Sequence, residues 1–141
     1  MSKSISDQRV AVIGELNVDL IATGLNTPPI LGQEILATGF QMTLGSASAI
    51  FACGAAKLGY EITFLSCVGR DDFGKFCLDA LREAGISTGK VIEDASLKTG
   101  VTISLSTPND RALVTFLGAI SEFGVEQVPL AALENHSHLH L

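Results

Sequence analysis

Two polar side chains, Asn17 and Asp19, lie where a ligand could bind. They follow residues 10–14 (VAVIG), a short apolar run that ends in glycine and is typical of a strand buried on both faces. Ligands of open α/β sheets bind beyond the carboxyl ends of the strands, so both side chains are candidate contacts for a polar ligand. The alternative interpretation is that Asp19 only caps a turn.

A second candidate site lies at the start of a helix predicted between Gly45 and Gly59. Gly45 and the serines that follow it would direct backbone N–H groups at the space above the helix, which suits an oxygen-rich ligand. Ser46 or Ser48 can cap the helix. Apolar and small residues occupy every side until Lys57, so we expect the helix to be covered on all sides.

The remaining chemically competent side chains do not predict a metal or redox site. The cysteines form no C-x-x-C pair and lie in apolar surroundings, which predicts reduced core thiols: Cys53, Cys67 and Cys77. Three histidines alternate near the end of the chain and would face one side of an extended segment: His136, His138 and His140. No carboxylate or cysteine accompanies them, so we predict no metal ligands there.

The elements that must position these residues alternate between strands and helices. A second buried strand is predicted over residues 61–69, and a helix capped by Asp71 or Asp72 ends at Gly85. Further strands are predicted, some open to solvent, over residues 20–25, 35–44 and 88–92. Residues 99–107 and 111–118 flank a Pro-Asn-Asp turn and predict a hairpin. The segment 121–133 is predicted as loop plus a short helix, and residues 138–141 (HLHL) as the start of another strand.

Composition excludes several classes of function. The 141 residues carry a net charge of −6 with only nine Lys and Arg, so no basic patch for nucleic acid is expected. The uncharged region 41–56 is too short to span a membrane, and the polar N-terminus lacks a signal peptide's apolar core. We therefore expect a cytoplasmic protein. The residues after Gly14 are ELN, which does not continue the glycine pattern of a dinucleotide-binding domain.

The order of motifs resembles the PfkB/ribokinase-like carbohydrate kinase family. The most specific match is the run from Leu58-Gly59 through VGRDDFG to Gly74, in which a Leu-Gly pair, an apolar strand and a V-G-x-D-x-x-G motif follow one another. The other matching segments are VAVIGELNVDLI at 10–21, Gly32-x-Glu34, LGSASAIFACGAAKLG at 44–59, LREAGI at 81–86, TGVTISL at 99–105 and RALVTFLGA at 111–119.

The resemblance implies a fold and a set of contacts. It implies an α/β fold with a parallel-sheet ribokinase-like core, present in part, and a small β-sheet lid with strands near 32–44 and 99–117. Residues 1–141 would form the N-terminal portion of the kinase domain. By position, the substrate-binding residues would be Asn17, Asp19, Gly45 and Ser46, and the lid residues Thr102, Ser104 and Phe116. A carboxylate and an amide suit the vicinal hydroxyls of a polyol.

Two positions depart from the family's pattern. The usual Gly-Gly pair is Gly45-Ser46 here, and Ile50 occupies the position where many relatives carry a substrate-binding asparagine. The Ile50 change bears on which sugar would be bound, not on the fold.

The family's catalytic Asp motif, which also adjoins the ATP site, has no counterpart after Gly118. We therefore expect the substrate-binding half of an ATP-dependent kinase that transfers the γ-phosphate to a hydroxyl of a sugar or nucleoside. ATP and Mg²⁺ would be held by a C-terminal portion, and two lids could pair in a homodimer. The alternative is a non-catalytic module that binds a polyol or pairs with another kinase chain.

Overall fold

A computed structural model describes residues 8–141, which form two four-stranded sheets and two α-helices. In chain order the elements are β1 (Arg9–Ile13), β2 (Asn17–Thr23), β3 (Gly39–Leu44), α1 (Ala47–Lys57), β4 (Glu61–Gly69), α2 (Asp72–Glu83), β5 (Val91–Asp94), β6 (Gly100–Ser106), β7 (Arg111–Phe116) and β8 (His138–His140).

The first sheet is entirely parallel, with strand order β5-β4-β1-β8. The two central strands, β1 and β4, are apolar runs, as expected for strands that are covered on both faces. One face packs against α1 and α2 and buries Val12, Phe64 and Val68 completely. The predicted buried strands at 10–14 and 61–69 are therefore confirmed, and β5 begins at Val91, three residues later than predicted.

The second sheet has the order β3-β2-β6-β7. Its β6–β7 hairpin matches the sequence prediction, with Val101 opposite Phe116 and Ser106 opposite Arg111. The neighbouring pair β2 and β6 runs parallel. Together the two sheets confirm the predicted α/β fold class, a parallel core sheet with a second, small sheet.

Two strand boundaries in the second sheet were predicted wrongly. Strand β2 begins at Asn17, not at residue 20, and β3 begins at Gly39, not at residue 35. The polar residues Asn17 and Asp19 weaken the local strand signal, but they pair in register with Gly100 and Thr102 of β6. That pairing comes from a distant part of the chain and overrides local propensity.

The prediction that α1 is covered on all sides is also wrong. Its small residues Ala49, Ala52 and Ala55 are buried against the first sheet, whereas Ile50, Phe51 and Leu58 are exposed. An apolar helix can be buried on every side, but its sequence does not show whether another element packs against each side. Helix α2 has the predicted amphipathic pattern, and Gly85 follows it with a φ of 82°.

The predicted strand at the end of the chain forms and pairs with β1 in parallel register. The prediction that three histidines share one side of it is wrong, because His136 lies before β8 and contacts Thr63 through Nε2 at 2.9 Å. His140 instead stacks on Phe51 of α1, with ring centroids 3.8 Å apart. Between residues 117 and 134 the chain forms three short 3₁₀ turns, the last directly after Pro129.

The cysteines lie in or beside the core. Cys67 and Cys77 are buried, Cys53 is half-buried, and none is disulfide-bonded. Burial raises the pKa of the Cys77 thiol to about 12 and also raises the pKa values of the other two. Thiols of this kind are poor nucleophiles. Neither described α-helix is long and apolar enough to cross a membrane.

Candidate functional site

A cavity of about 320 Å³ lies between the carboxyl end of β1, the start of α1 and one face of the second sheet. Side chains on alternate positions of the second sheet point into it, because successive residues of a strand face opposite sides. Five of the predicted site residues line this cavity together: Asn17, Asp19, Ser46, Thr102 and Ser104. We refer to it as the polar cavity.

A chain of hydrogen bonds orients the carboxylate of Asp19. The buried Asn17 amide donates to Asp19 Oδ1 at 3.2 Å and to Thr102 Oγ1 at 3.3 Å. The Thr102 hydroxyl in turn bonds to Thr115 Oγ1 at 3.1 Å. Asp19 lies within strand β2, so the alternative of a turn-capping aspartate is wrong. The network leaves Asp19 Oδ2 available to accept hydrogen bonds from a ligand.

Gly45 lies directly beside this carboxylate. Its N–H donates to the Asn17 carbonyl oxygen at 2.8 Å. A Cβ at this position would overlap Asp19 Oδ1 and would lie 2.8 Å from Asn17 Nδ2. Glycine is therefore required at residue 45 because the two polar side chains occupy the space of its missing side chain.

Ser46 caps α1 in an unusual backbone conformation. Its φ is 70°, a region that non-glycine residues rarely adopt. The hydroxyl donates to the Glu15 carbonyl oxygen at 2.6 Å and accepts from the Ala49 N–H at 3.1 Å. Both bonds offset the backbone strain, and they tie the end of β1 to the start of α1 at the rim of the polar cavity.

Two residues singled out in the sequence lie outside the polar cavity. Phe116, predicted as a lid residue, belongs to strand β7, but it is on the opposite face of the second sheet and lines a separate cavity near Phe73. Ile50 is 59% exposed on the outer side of α1. Neither side chain lines the polar cavity that contains Asn17 and Asp19.

Asp71 anchors the second sheet to the first. Its carboxylate accepts hydrogen bonds from Gly74 N at 2.8 Å, Thr99 N at 2.9 Å and Thr99 Oγ1 at 2.7 Å. Partial burial alone would raise the pKa of Asp71, but these hydrogen bonds outweigh it and lower the pKa. Since Thr99 directly precedes β6, Asp71 joins the start of α2 to the strand that carries Thr102.

Residues 7–141 match the sequence profile of the "pfkB family carbohydrate kinase". That match covers nearly the whole chain. The chain belongs to the pfkB family of carbohydrate kinases. Among curated pfkB relatives, it is 30% identical over 123 residues to the ribokinase of Haemophilus influenzae, and 29% identical over 112 residues to the ribokinase of Bacillus subtilis. The matches cover 84% and 79% of this chain but 40% and 38% of those two proteins.

Solved pfkB structures have the same fold. A PfkB protein from Polaromonas sp. JS666 is 28% identical and superposes with a TM-score of 0.79, covering 94% of this chain and 43% of that one. A fructokinase from Xylella fastidiosa is 26% identical with a TM-score of 0.76, and the match covers 94% of this chain and 40% of that one. The chain thus spans about two fifths of the length of these pfkB proteins.

Sequence reasoning did not select seven further residues of the polar cavity. They are Glu15, Ile21, Arg111, Leu113, Thr115, Leu117 and Ile120. For β7 a usable signal exists, because the Pro-Asn-Asp turn sets the hairpin register and the register puts Thr115 opposite Thr102. For Ile120 the sequence carries no such signal, because the position of this residue depends on the 3₁₀ turn after β7.

Proposed function

We propose that this chain is the substrate-binding portion of an ATP-dependent kinase that transfers a γ-phosphate to a hydroxyl of a sugar or nucleoside in the cytoplasm. The observation that carries the proposal is the Asp19 carboxylate, which Asn17 orients and Gly45 accommodates at the edge of a polar cavity. Such a carboxylate can accept hydrogen bonds from two neighbouring hydroxyls, which is the feature common to polyols.

In the proposed reaction, the residues of this chain bind and orient the acceptor. Asp19 and Asn17 hold hydroxyls, and Thr102 and Ser104 of the second sheet face the same cavity. The second sheet acts as a lid that excludes water from the substrate, which favours transfer to the sugar over hydrolysis. Holding the acceptor hydroxyl in one position is a large part of catalysis in phosphoryl transfer.

We place the binding of ATP and Mg²⁺ outside the residues described here. A fructokinase structure from Xylella fastidiosa, 25% identical to this chain, contains bound ATP. Within residues 8–141, no three His, Cys, Asp or Glu side chains come together as metal ligands. Beside Asp19 and Glu15 the polar cavity suits hydroxyls better than a nucleotide's triphosphate, because these two carboxylates would repel it.

Asp19→Asn tests the proposed binding site. We expect the affinity for the best-binding sugar or polyol to fall at least about tenfold, because a neutral amide accepts weaker hydrogen bonds than a carboxylate. Isothermal titration of a panel of sugars, polyols and nucleosides against the chain measures this. The matched control is Asp72→Asn, which removes a carboxylate outside the polar cavity and should leave the affinity unchanged. Equal loss in both variants would contradict the proposal.

The alternative function is a module that binds a polyol and pairs with a kinase chain. The observation that favours it is the exposed apolar side of α1, which borders a groove of about 720 Å³ next to the open edge of β8. A separate chain that carries the ATP-binding portion of a pfkB kinase would cover both the apolar side of α1 and the open edge of β8. The behaviour of the isolated chain discriminates the two: a stable, monodisperse chain that unfolds cooperatively supports the module, whereas aggregation of the chain alone supports a portion of a longer kinase. Sugar-dependent ATP turnover by the isolated chain contradicts both.

We also propose that two copies pair through the outer face of the second sheet, the face opposite the polar cavity. Val18, on the same face, is buried in the core, but several apolar side chains of this face are exposed: Phe40, Met42, Ile103, Val114 and Phe116. Exposed apolar areas of this kind are typical of interaction surfaces.

Val114→Glu places a charge on this outer face, on the edge strand β7 and opposite Ile103. We expect it to convert a dimer to a monomer in sedimentation velocity, because a carboxylate would lose its water in the interface. Val125→Glu changes another exposed valine, outside the second sheet, and should sediment like the unmodified chain. A wild-type chain that stays monomeric at high concentration would contradict the pairing.

A further inference from the structure

Arg111 contributes a positive charge to the far end of the polar cavity. It pairs with Ser106 in the β6–β7 hairpin. Side chains two residues apart in a strand share a face, so Arg111 lies on the same side as Leu113 and Thr115, and all three line the cavity with Asp19. Among the described residues that line this cavity, Arg111 is the one basic side chain.

The charge of Arg111 is available to a ligand. Among residues 8–141 its guanidinium forms no ion pair; the ion pairs there are Arg9–Glu61, Lys75–Asp79 and Arg82–Asp79. The nearest acidic residue in sequence, Asp110, uses a carboxylate oxygen to accept from the Arg111 backbone N–H at 2.7 Å. The guanidinium therefore keeps its donors for an anion, which it can bind through two parallel hydrogen bonds.

The spacing between Arg111 and the hydroxyl-binding residues suits an open-chain sugar. Arg111 is four residues before Thr115, which bonds to Thr102 beside Asn17. At about 3.3 Å per residue, its Cα lies about 13 Å along the sheet from that cluster. The Arg111 side chain lines the cavity, so its guanidinium is available to one end of a ligand whose other end contacts that cluster. Leu113 and Ile21 line the space between and can pack against the C–H groups of a carbon chain.

We infer that the polar cavity selects a sugar with an anionic group at one end. Asp19 and Asn17 hold hydroxyls, and Arg111 binds a carboxylate or phosphate at the opposite end of the same molecule. This inference rests on the proposed function, because it assigns a substrate class to the same cavity. Since Arg111 is exposed, a neutral polyol leaves it hydrated at little cost, so the selectivity comes from added binding of the anion and not from exclusion of neutral sugars.

The test compares matched ligands that differ at one end. Five- and six-carbon aldonates are titrated alongside the alditols of the same configuration and the corresponding alditol phosphates, with calorimetry as the readout. We expect the best aldonate to bind about tenfold more tightly than its alditol, and the preference to shrink as ionic strength rises. Arg111→Gln should reduce the ratio to about one, and Arg111→Lys should keep part of it because the charge remains without the planar fork.

The control Arg70→Gln removes the same charge at an exposed site outside the cavity and should keep the preference. An Arg111-dependent gain for the alditol phosphates alone would identify the anion as phosphate. Equal binding of aldonate, phosphate and alditol, or an anion preference that survives Arg111→Gln, would overturn the inference.

The variant Asp19→Asn distinguishes failure of the inference from failure of the proposed function. If Asp19→Asn weakens the binding of every ligand while Arg111→Gln changes none, the proposed function stands and the inference falls. If no ligand binds in an Asp19-dependent manner, both fall.

Discussion

Gly45→Ala is expected to destabilise the chain by about 1–3 kcal/mol and to abolish ligand binding in the polar cavity. The added Cβ would overlap Asp19 Oδ1 and would lie 2.8 Å from Asn17 Nδ2, so both side chains must move. Gly45 does not have a positive φ, so alanine is compatible with the backbone, and the cost comes from the overlap. Urea unfolding and calorimetry measure the two effects.

Gly54→Ala is the matched control for this prediction. It makes the same chemical change inside α1, where an added Cβ would meet no atom within 4 Å. Because alanine is the better helix former, we expect a gain of up to about 1 kcal/mol and no change in ligand affinity. The two substitutions should therefore change stability in opposite directions. A Gly45→Ala variant that is as stable as the unmodified chain and still binds ligand would contradict the site geometry.

Asp71→Asn is expected to lower the free energy of unfolding at neutral pH by about 2–4 kcal/mol. The aspartate accepts three hydrogen bonds, two from Thr99 and one from Gly74. An asparagine can accept at only one atom, and its amide nitrogen would face a donor. Asp72→Asn changes the neighbouring exposed carboxylate and should shift stability by less than about 0.5 kcal/mol. Urea unfolding of the three proteins measures both values.

The effect of Asp71 should depend on pH in a defined direction. The fold lowers the pKa of Asp71, so its stabilisation is fully present above the pKa of the unfolded chain, which is about 3.9 for aspartate. It is lost as the pH falls through the lower pKa of the folded state. The stability difference between the wild type and Asp71→Asn should thus be constant near neutral pH and shrink in acid. A difference that stays constant to the lowest pH would contradict this role of the carboxylate.

Asp71 also shows how the polar cavity depends on distant residues. It holds Thr99, and Thr99 leads directly into the strand that carries Thr102. We therefore expect Asp71→Asn to weaken ligand binding as well, although Asp71 does not line the polar cavity. The sequence predicted Asp71 or Asp72 as a helix cap, and this is correct for Asp71, but the bonds to Thr99 could not be predicted from helix-capping rules.

Much of the fold could be predicted because its signals are local. The apolar runs of β1 and β4, the amphipathic pattern of α2 and the Pro-Asn-Asp turn each involve neighbouring residues only. The start of β2 could not be predicted in this way, because Asn17 and Asp19 are polar and become strand residues through pairing with β6. Exposure of Ile50 was missed for a similar reason: burial depends on which elements lie next to α1, and its sequence does not contain them.

The features of the candidate site also fall into those that follow from local sequence and those that depend on long-range pairing. The order of the main strands and helices and the resemblance to the family could be predicted from local patterns and motifs. Asp19 and Gly45 could each be predicted as candidate site residues, because one follows the carboxyl end of β1 and the other precedes α1. The contact between Asp19 and Gly45, and the set of residues that completes the polar cavity, depend on how distant segments pair. The bond between Asn17 and Thr102 joins residues 85 positions apart, and the same register places Arg111 over the cavity. Alternation along a strand is local and can be read from sequence, but the choice of pairing partner is made by the whole chain.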